Sequence, residues 1–275
     1  MRPVGIYYVS WNPKTIQLMS ETKFNIAVLI DGDNAQAKLM KETLEEVSKY
    51  GKATIRRIYG DWTTNQMNSW KEIVNQHSIS PIQKFSYTTG KNSTDSSLII
   101  DAMDILHSKS VEGFCIVSSD SDYTGLAKRI REEGLFVMGI GRKNTPIAFV
   151  NSCEIFTFSE NLVAELDTNV EEPEPQKVDV TPKEIVKKGP KKQDIKHKFP
   201  RIDMNIIDRA FEISANEEEE AFISKIGTSL RKIDPSFDSR TYGFKTLTSL
   251  FKSLDKYKIV KNDVNGLNHP LVRLK

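Results

Sequence analysis

Residues 25–34 read NIAVLIDGDN, six residues from Asn25 to Ile30 that suit a buried strand, followed by the acidic turn Asp31-Gly32-Asp33-Asn34. The strand is a near-continuous apolar run, as in a parallel sheet covered on both faces. Downstream the pattern alternates. Ala35 to Tyr50 is helical in its spacing, and Gly51 closes it, as glycine does just past a helix end. Lys52–Tyr59 (KATIRRIY) is a second strand, Trp62–His77 a helix and Pro81–Thr88 a third strand. Thr94–Ser108 is a helix with apolar residues at 98, 99, 102, 105 and 106. Gly113–Ser118 (GFCIVS) is a fourth strand, Asp122–Glu133 a helix, Leu135–Ile140 a fifth strand and Ile155–Phe158 a sixth. Such alternation predicts right-handed βαβ units and an α/β fold with a mostly parallel sheet.

Residues 164–199 break this pattern. They are rich in Pro, Lys and Glu and poor in large apolar residues, which reads as a flexible linker. Acids cluster at its start and lysines at its end; a solvated linker is one reading of the lysines and phosphate contact another. Beyond it, Met204–Ala215, Glu217–Ile233 and Tyr242–Leu254 have helical spacing. Two short strands follow, Tyr257–Val260 and Leu271–Leu274, with Asn265-Gly266 as a turn signal between them. Three helices and a hairpin describe a second, smaller winged-helix domain. The expected organisation is an N-terminal extension over 1–22, an α/β domain over 23–163, the linker over 164–199 and the winged helix over 200–275. Residues 1–18 fit neither domain, and the chain reads naturally from Met19, so they read as an upstream extension or a misplaced start.

Composition narrows the class. Across 275 residues, 38% are hydrophobic and 28% charged, as in a soluble globular protein with some exposed linker. No window approaches the ~18–20 apolar residues of a membrane helix. The N-terminus lacks a signal-peptide core and cleavage site, which with two lone cysteines suggests a cytoplasmic protein with reduced thiols. No Cys/His spacing suits zinc, no GxxxxGK[ST] loop is present, and the four histidines form no pattern. The net charge of +2 does not by itself indicate nucleic-acid binding, so that reading must come from motifs.

The motifs are acidic. Asp31 and Asp33 follow the first strand, Asp95 opens the helix after the third, and Asp120 and Asp122 follow the fourth. In an open parallel sheet these positions share the edge where ligands bind. Gathered carboxylates repel unless a cation neutralises them. Mg²⁺ takes oxygen ligands, polarises phosphoryl oxygens and activates water, which suits phosphodiester hydrolysis. Ordinary capping is the competing reading: Ser121 or Asp122 can cap the helix near Tyr123, and Thr94 the one near Asp95. Asn34 can bind a substrate phosphate or a metal-bound water, or serve as an N-cap. Asp101 and Asp104 lie farther along the helix of Asp95, Asp101 off its face, and read as structural or supporting residues.

Three stretches, IAVLIDGDN (26–34), KNSTDSSLIID (91–101) and VSSDSDY (117–123), resemble the NYN domain, a branch of the PIN-like nuclease superfamily, over about residues 23–160. That resemblance implies a doubly wound sheet and divalent-metal-dependent cleavage of RNA, with Mg²⁺ or Mn²⁺ as cofactor. It implies metal-binding and catalytic roles for Asp31, Asp95, Asp120 and Asp122, with Asn34 supporting. YGFKTLTSLF (242–251) and the strand after it resemble the OST-HTH, or LOTUS, domain. This implies binding of RNA, structured RNA in some members, and protein partners in others.

Lys245, Lys252, Lys256, Lys258 and Lys261 cluster around the third helix and the wing of that unit. With Arg240 and Tyr242 they are expected to contact phosphates and stack a base. In the first unit, Lys91 precedes Asp95, and Arg142 and Lys143 follow the fifth strand at the same edge, placed to hold the RNA backbone. A solvated charged surface is the plainer reading of each set. Arg56 and Arg57 point to opposite faces of one strand, so at least one needs an acid partner or solvent. Trp62 and Trp70 read as core. The expectation is a cytoplasmic, metal-dependent ribonuclease whose LOTUS domain recruits RNA. The alternatives are an RNA-binding adaptor, a protein-interaction module with little or no nuclease activity, and a DNA nuclease.

Overall fold

The structure, a computed structural model, describes residues 24–85, 93–163, 199–264 and 267–275. The first domain holds six parallel strands: β1 (Asn25–Asp31), β2 (Lys52–Gly60), β3 (Ser80–Gln83), β4 (Gly113–Val117), β5 (Phe136–Gly141) and β6 (Ile155–Phe158). Their order is β3-β2-β1-β4-β5-β6, every pairing parallel. The chain winds outward from β1 to β3, then returns beside β1 with β4. This is the doubly wound α/β topology, with its switch point between β1 and β4.

Helices cover both faces. On one lie α3 (Ser93–Ser108), α4 (Thr124–Glu132) and α5 (Ile147–Ser152), burying Leu98, Ala102, Leu126, Ile130, Phe149 and Val150. On the other lie α1 (Met40–Ser48), α2 (Lys71–Gln76) and α6 (Ser159–Val163), burying Met40, Val47, Val74 and Leu162. The central strands β1 and β4 are buried on both sides, which is why they read as unbroken apolar runs. Cys115 and Cys153 are buried free thiols in this core.

Several elements depart from the sequence reading. The helices expected at 35–50 and 62–77 each begin as a 3-10 segment, at Ala37–Leu39 and Asn65–Trp70. Trp70 is buried and Trp62 packs against the same core, but Trp62 precedes the helix. The third strand is four residues long, and residues 86–88 of the expected strand lie outside the described residues. Helices α5 and α6 are too short to show a periodicity in sequence.

The second domain comprises α7 (Met204–Ser214), β7 (Glu220–Phe222), α8 (Ile223–Ile233), α9 (Leu247–Ser253), β8 (Tyr257–Val260), β9 (Asp263–Val264), β10 (Leu267–Asn268) and β11 (Leu271–Leu274). An antiparallel sheet runs β7-β11-β8. The helix expected over 217–233 thus starts as a strand. That expected over 242–254 starts late, because Gly243 turns left-handed at φ 83° and Thr246 forms a capping box with Ser249. The expected hairpin is present, extended by the β9–β10 pair. Of the expected linker over 164–199, residues 164–198 lie outside the described residues, as does the N-terminal extension.

The two domains are docked. The backbone N–H of Phe156, on the outer edge of β6, donates to the Pro235 carbonyl at 2.8 Å. Arg240 forks onto both oxygens of Glu46 at 3.0 and 3.1 Å and also bonds Asp238. Arg231 donates to the Tyr50 hydroxyl at 3.1 Å, and Asn161 to the Thr241 hydroxyl at 2.9 Å. The edge strand of the first domain is therefore covered by the second rather than left to pair with another chain.

Candidate functional site

At the end of β1, the Asp31 side chain is fully buried and organises its own turn. One oxygen accepts from the backbone N–H groups of Asp33 and Asn34, at 3.1 and 3.3 Å. The other accepts from the Asn34 amide and the Ser118 hydroxyl, each at 2.8 Å. Gly32 is needed here by close approach: a Cβ would lie 2.8 Å from the Tyr59 carbonyl and 2.7 Å from the Met67 methyl. The Trp70 indole N–H, 3.2 Å from the Gly32 carbonyl, braces the turn from beneath.

Across the switch point, β4 ends at Val117, and the hydroxyl of the next residue, Ser118, also accepts the Asp120 N–H at 3.1 Å. Asp120 caps a 3-10 turn over Ser121–Tyr123 by accepting the Asp122 N–H at 2.9 Å. The cap is thus Asp120, not Ser121 or Asp122 as the local pattern suggests. Asp95 faces this turn from the first turn of α3, and the buried Tyr123 hydroxyl donates to it at 2.6 Å.

The result is a group of three carboxylates. Asp95, Asp120 and Asp122 each place one oxygen within 4.8 Å of the others. Oxygens on opposite sides of a Mg²⁺ are about 4.2 Å apart, close to this spread, and carboxylate oxygens are the donors such an ion prefers. Electrostatics agree. Burial pushes the Asp95 carboxyl above its ordinary range, and Asp31, Asp120 and Asp122 push it further, against the stabilising Tyr123 hydroxyl. The residues present therefore fit a divalent cation. Asp31 is not in the group of three; it lies behind it, joined to Asp120 through Ser118 and close enough to Asp95 to raise its pKa.

Arg142 and Lys143 lie beyond β5 at this same edge with exposed side chains. Their backbones are fixed by the Ser119 hydroxyl at 2.9 Å and by Glu160 at 3.1 Å. Lys91 lies outside the described residues. Lys245, Lys252 and Lys258 are exposed on the second domain. Lys256 instead pairs with Asp208 at 2.7 Å. Two residues expected on an RNA surface are placed elsewhere. Arg240 spans the domain seam, where burial opposes its charge but Asp238 and Glu46 overcome that and raise its pKa. Tyr242 is half-buried against Phe237, their ring centroids 5.7 Å apart.

Two residues that hold the site were not singled out from sequence. Ser118 reads as the last residue of a strand and Tyr123 as a residue at the start of a helix, and each acts through a partner distant in the chain. Asp101 is structural, bonded by both Arg57 and Tyr59. That contact supplies Arg57 with its acid partner, while Arg56 rests on the carbonyls of Ala53 and His77.

Residues 25–160 match the family model of the NYN domain, and residues 177–269 that of the OST-HTH/LOTUS domain. The second match begins inside the stretch read from sequence as linker. No curated protein matches the chain. Among solved structures, a protein of unknown function from Vibrio parahaemolyticus is 17% identical, covers 50% of this chain and 94% of its own, with a TM-score of 0.43. A solution structure from Chromobacterium violaceum is 31% identical over 28% of this chain and 85% of its own, with a TM-score of 0.24. An uncharacterised protein from Nitrosomonas europaea is 27% identical over 37% of this chain and 92% of its own, with a TM-score of 0.23. Among the described residues no helix is long and apolar enough to cross a membrane.

Proposed function

We propose that this chain, which carries an NYN domain followed by an OST-HTH/LOTUS domain, is a divalent-metal-dependent ribonuclease. The observation that carries the reading is the convergence of Asp95, Asp120 and Asp122 at the switch point of a doubly wound sheet. These three would hold the cation, Mg²⁺ or Mn²⁺. A divalent cation there supplies charge neutralisation and Lewis-acid activation for phosphodiester hydrolysis.

The surrounding residues have separate tasks. Asp31 adds buried negative charge behind the group and fixes Ser118 and Asn34. Asn34, its amide held by Asp31, assists at the turn that faces the substrate. Tyr123 sets the orientation of Asp95. Arg142 and Lys143, with Lys91, would hold the RNA backbone beside the carboxylates. On the second domain, the exposed Lys245, Lys252 and Lys258 would recruit RNA by phosphate contacts, single-stranded or structured. Arg240 serves the seam between the domains instead, and Tyr242 the packing of the second.

The test is incubation of the full chain with single-stranded RNA and Mg²⁺ or Mn²⁺, beside Asp95→Asn and Asp120→Asn and with EDTA. Cleavage that needs the metal and is lost in both variants supports the reading. Equal cleavage by the variants overturns the site. RNA binding without cleavage in any sample replaces the nuclease with an RNA-binding adaptor.

A further inference from the structure

Between the domains lies a cleft of about 570 Å³. The first domain lines it with Arg131, Asn151 and Glu154, the second with Thr228, Arg231 and Lys232. It opens at the N-terminal ends of β5 and β6, since Phe136 and Ile155 also border it. The carboxylate group lies at the strands' opposite ends, so this cleft is separate from the proposed nuclease site.

Its charge is unbalanced. Among the described residues three cations line it, and Glu154 is the one lining carboxylate. The two guanidinium groups are held by neutral acceptors. Arg131 donates to the carbonyls of Asn151 and Ser152, at 3.3 and 3.2 Å. Arg231 donates to the Gly227 carbonyl at 3.3 Å and the Tyr50 hydroxyl at 3.1 Å. Burial raises the pKa of Glu154, while Arg131 pulls it back. Arg131 lies in the last turn of α4, and Arg231 and Lys232 in the last turn of α8. Helix C-termini favour cations, each acting as roughly −0.5 charge. Two such ends leave about one positive charge uncompensated. Cations brought together from two domains repel when the domains dock, and an anion between them removes that repulsion. Fixed guanidinium forks suit the oxygens of phosphate, and Asn151 and Thr228 add neutral donors.

We propose that the interdomain cleft is a phosphate-binding site shared by the two domains. It takes either a free phosphate or a phosphodiester of RNA bound across both, and its occupation strengthens their docking. The site does not depend on the carboxylate group being a nuclease centre.

The experiment is calorimetric titration of the full chain in EDTA, first with inorganic phosphate and then with a single-stranded RNA oligomer. Arg131→Gln and Lys232→Gln should each weaken phosphate binding about tenfold, the loss of one charge-assisted contact. Glu154→Gln should tighten it, which a variant that merely misfolds cannot do. If the RNA affinities follow the same order, the natural source is a polynucleotide; if phosphate alone follows it, the source is a free phosphate. The proposal is overturned if phosphate does not bind the unaltered protein, or if the three variants leave its affinity unmoved. EDTA removes cleavage from the readout, so failure of the nuclease reading leaves this result intact.

Discussion

The carboxylate edge and the domain seam are both built from charged groups, yet their bonds span different lengths of chain. Asp31 holds Asp33 and Asn34, two and three residues on, and Asp120 holds Asp122, two residues on. At the seam, Glu46 meets Arg240 across 194 residues and Tyr50 meets Arg231 across 181. The first arrangement joins such turns within a single domain, through Ser118 to Asp31 across 87 residues and Tyr123 to Asp95 across 28. The second exists only while the domains are docked, and it buries ions that are costly when separated: the Arg240 and Glu46 side chains are 12% and 4% exposed. The acidic edge should therefore outlast the seam.

The largest expected effect falls on chemistry alone. Asp120→Asn should cut metal-dependent RNA cleavage by more than about 100-fold, beyond the range for loss of a mere outer-shell partner. Small-angle scattering of the same variant should still show a docked particle. Arg240→Ala should do the reverse. It strands Glu46 and Asp238 and should destabilise the docked state by about 3 kcal/mol. Scattering should show an expanded particle, while Mg²⁺ affinity measured by calorimetry stays as it was. If Arg240→Ala also removes metal binding, the two regions are coupled and the comparison fails.

The same difference in span explains what the sequence discloses. The central strands β1 and β4 were legible because they are buried on both faces and carry unbroken apolar runs. The acid motifs were legible because each is a few residues long and sits at a strand or helix end. Tyr123 was not, because its partner Asp95 lies 28 residues away and nothing local distinguishes a tyrosine that holds a carboxylate from one that fills a core. The role of Glu46 was hidden for the same reason: on a helix of mixed charge, a buried glutamate looks like any other. Strand β7 was hidden because its three residues read as the start of α8.

A third, smaller effect tests the positioning role. Tyr123→Phe keeps the ring in the core and removes only the hydroxyl on Asp95. Mg²⁺ affinity should fall about tenfold, the scale of an outer-shell partner, with little change in fold. An unchanged affinity would reduce Tyr123 to core packing.

The smallest effect contrasts one carboxyl from each domain. Asp95 has its pKa raised, by burial first and then by three neighbouring acids. Asp208 is pushed upward by burial, but hydrogen bonds from Lys256 and Tyr257 outweigh that and leave it lowered. The two shifts have opposite signs in the metal-free protein. The folded chain keeps the Asp95 proton to higher pH than the unfolded chain does. The associated stability is full below the unfolded pKa and is lost as pH rises through the folded one. Asp208 contributes stability that is present above its unfolded pKa and is lost as pH falls through its lowered folded value. Carboxyl NMR titration in EDTA should place Asp95 above, and Asp208 below, the ordinary aspartate range. Near neutral pH, Asp95→Asn should make the metal-free protein more resistant to denaturant, and Asp208→Asn should make it less so. If Asp95→Asn weakens the fold instead, burial and the neighbouring acids do not outweigh the Tyr123 hydrogen bond at that carboxyl, and the electrostatic case for a cation at the acidic edge loses its main support.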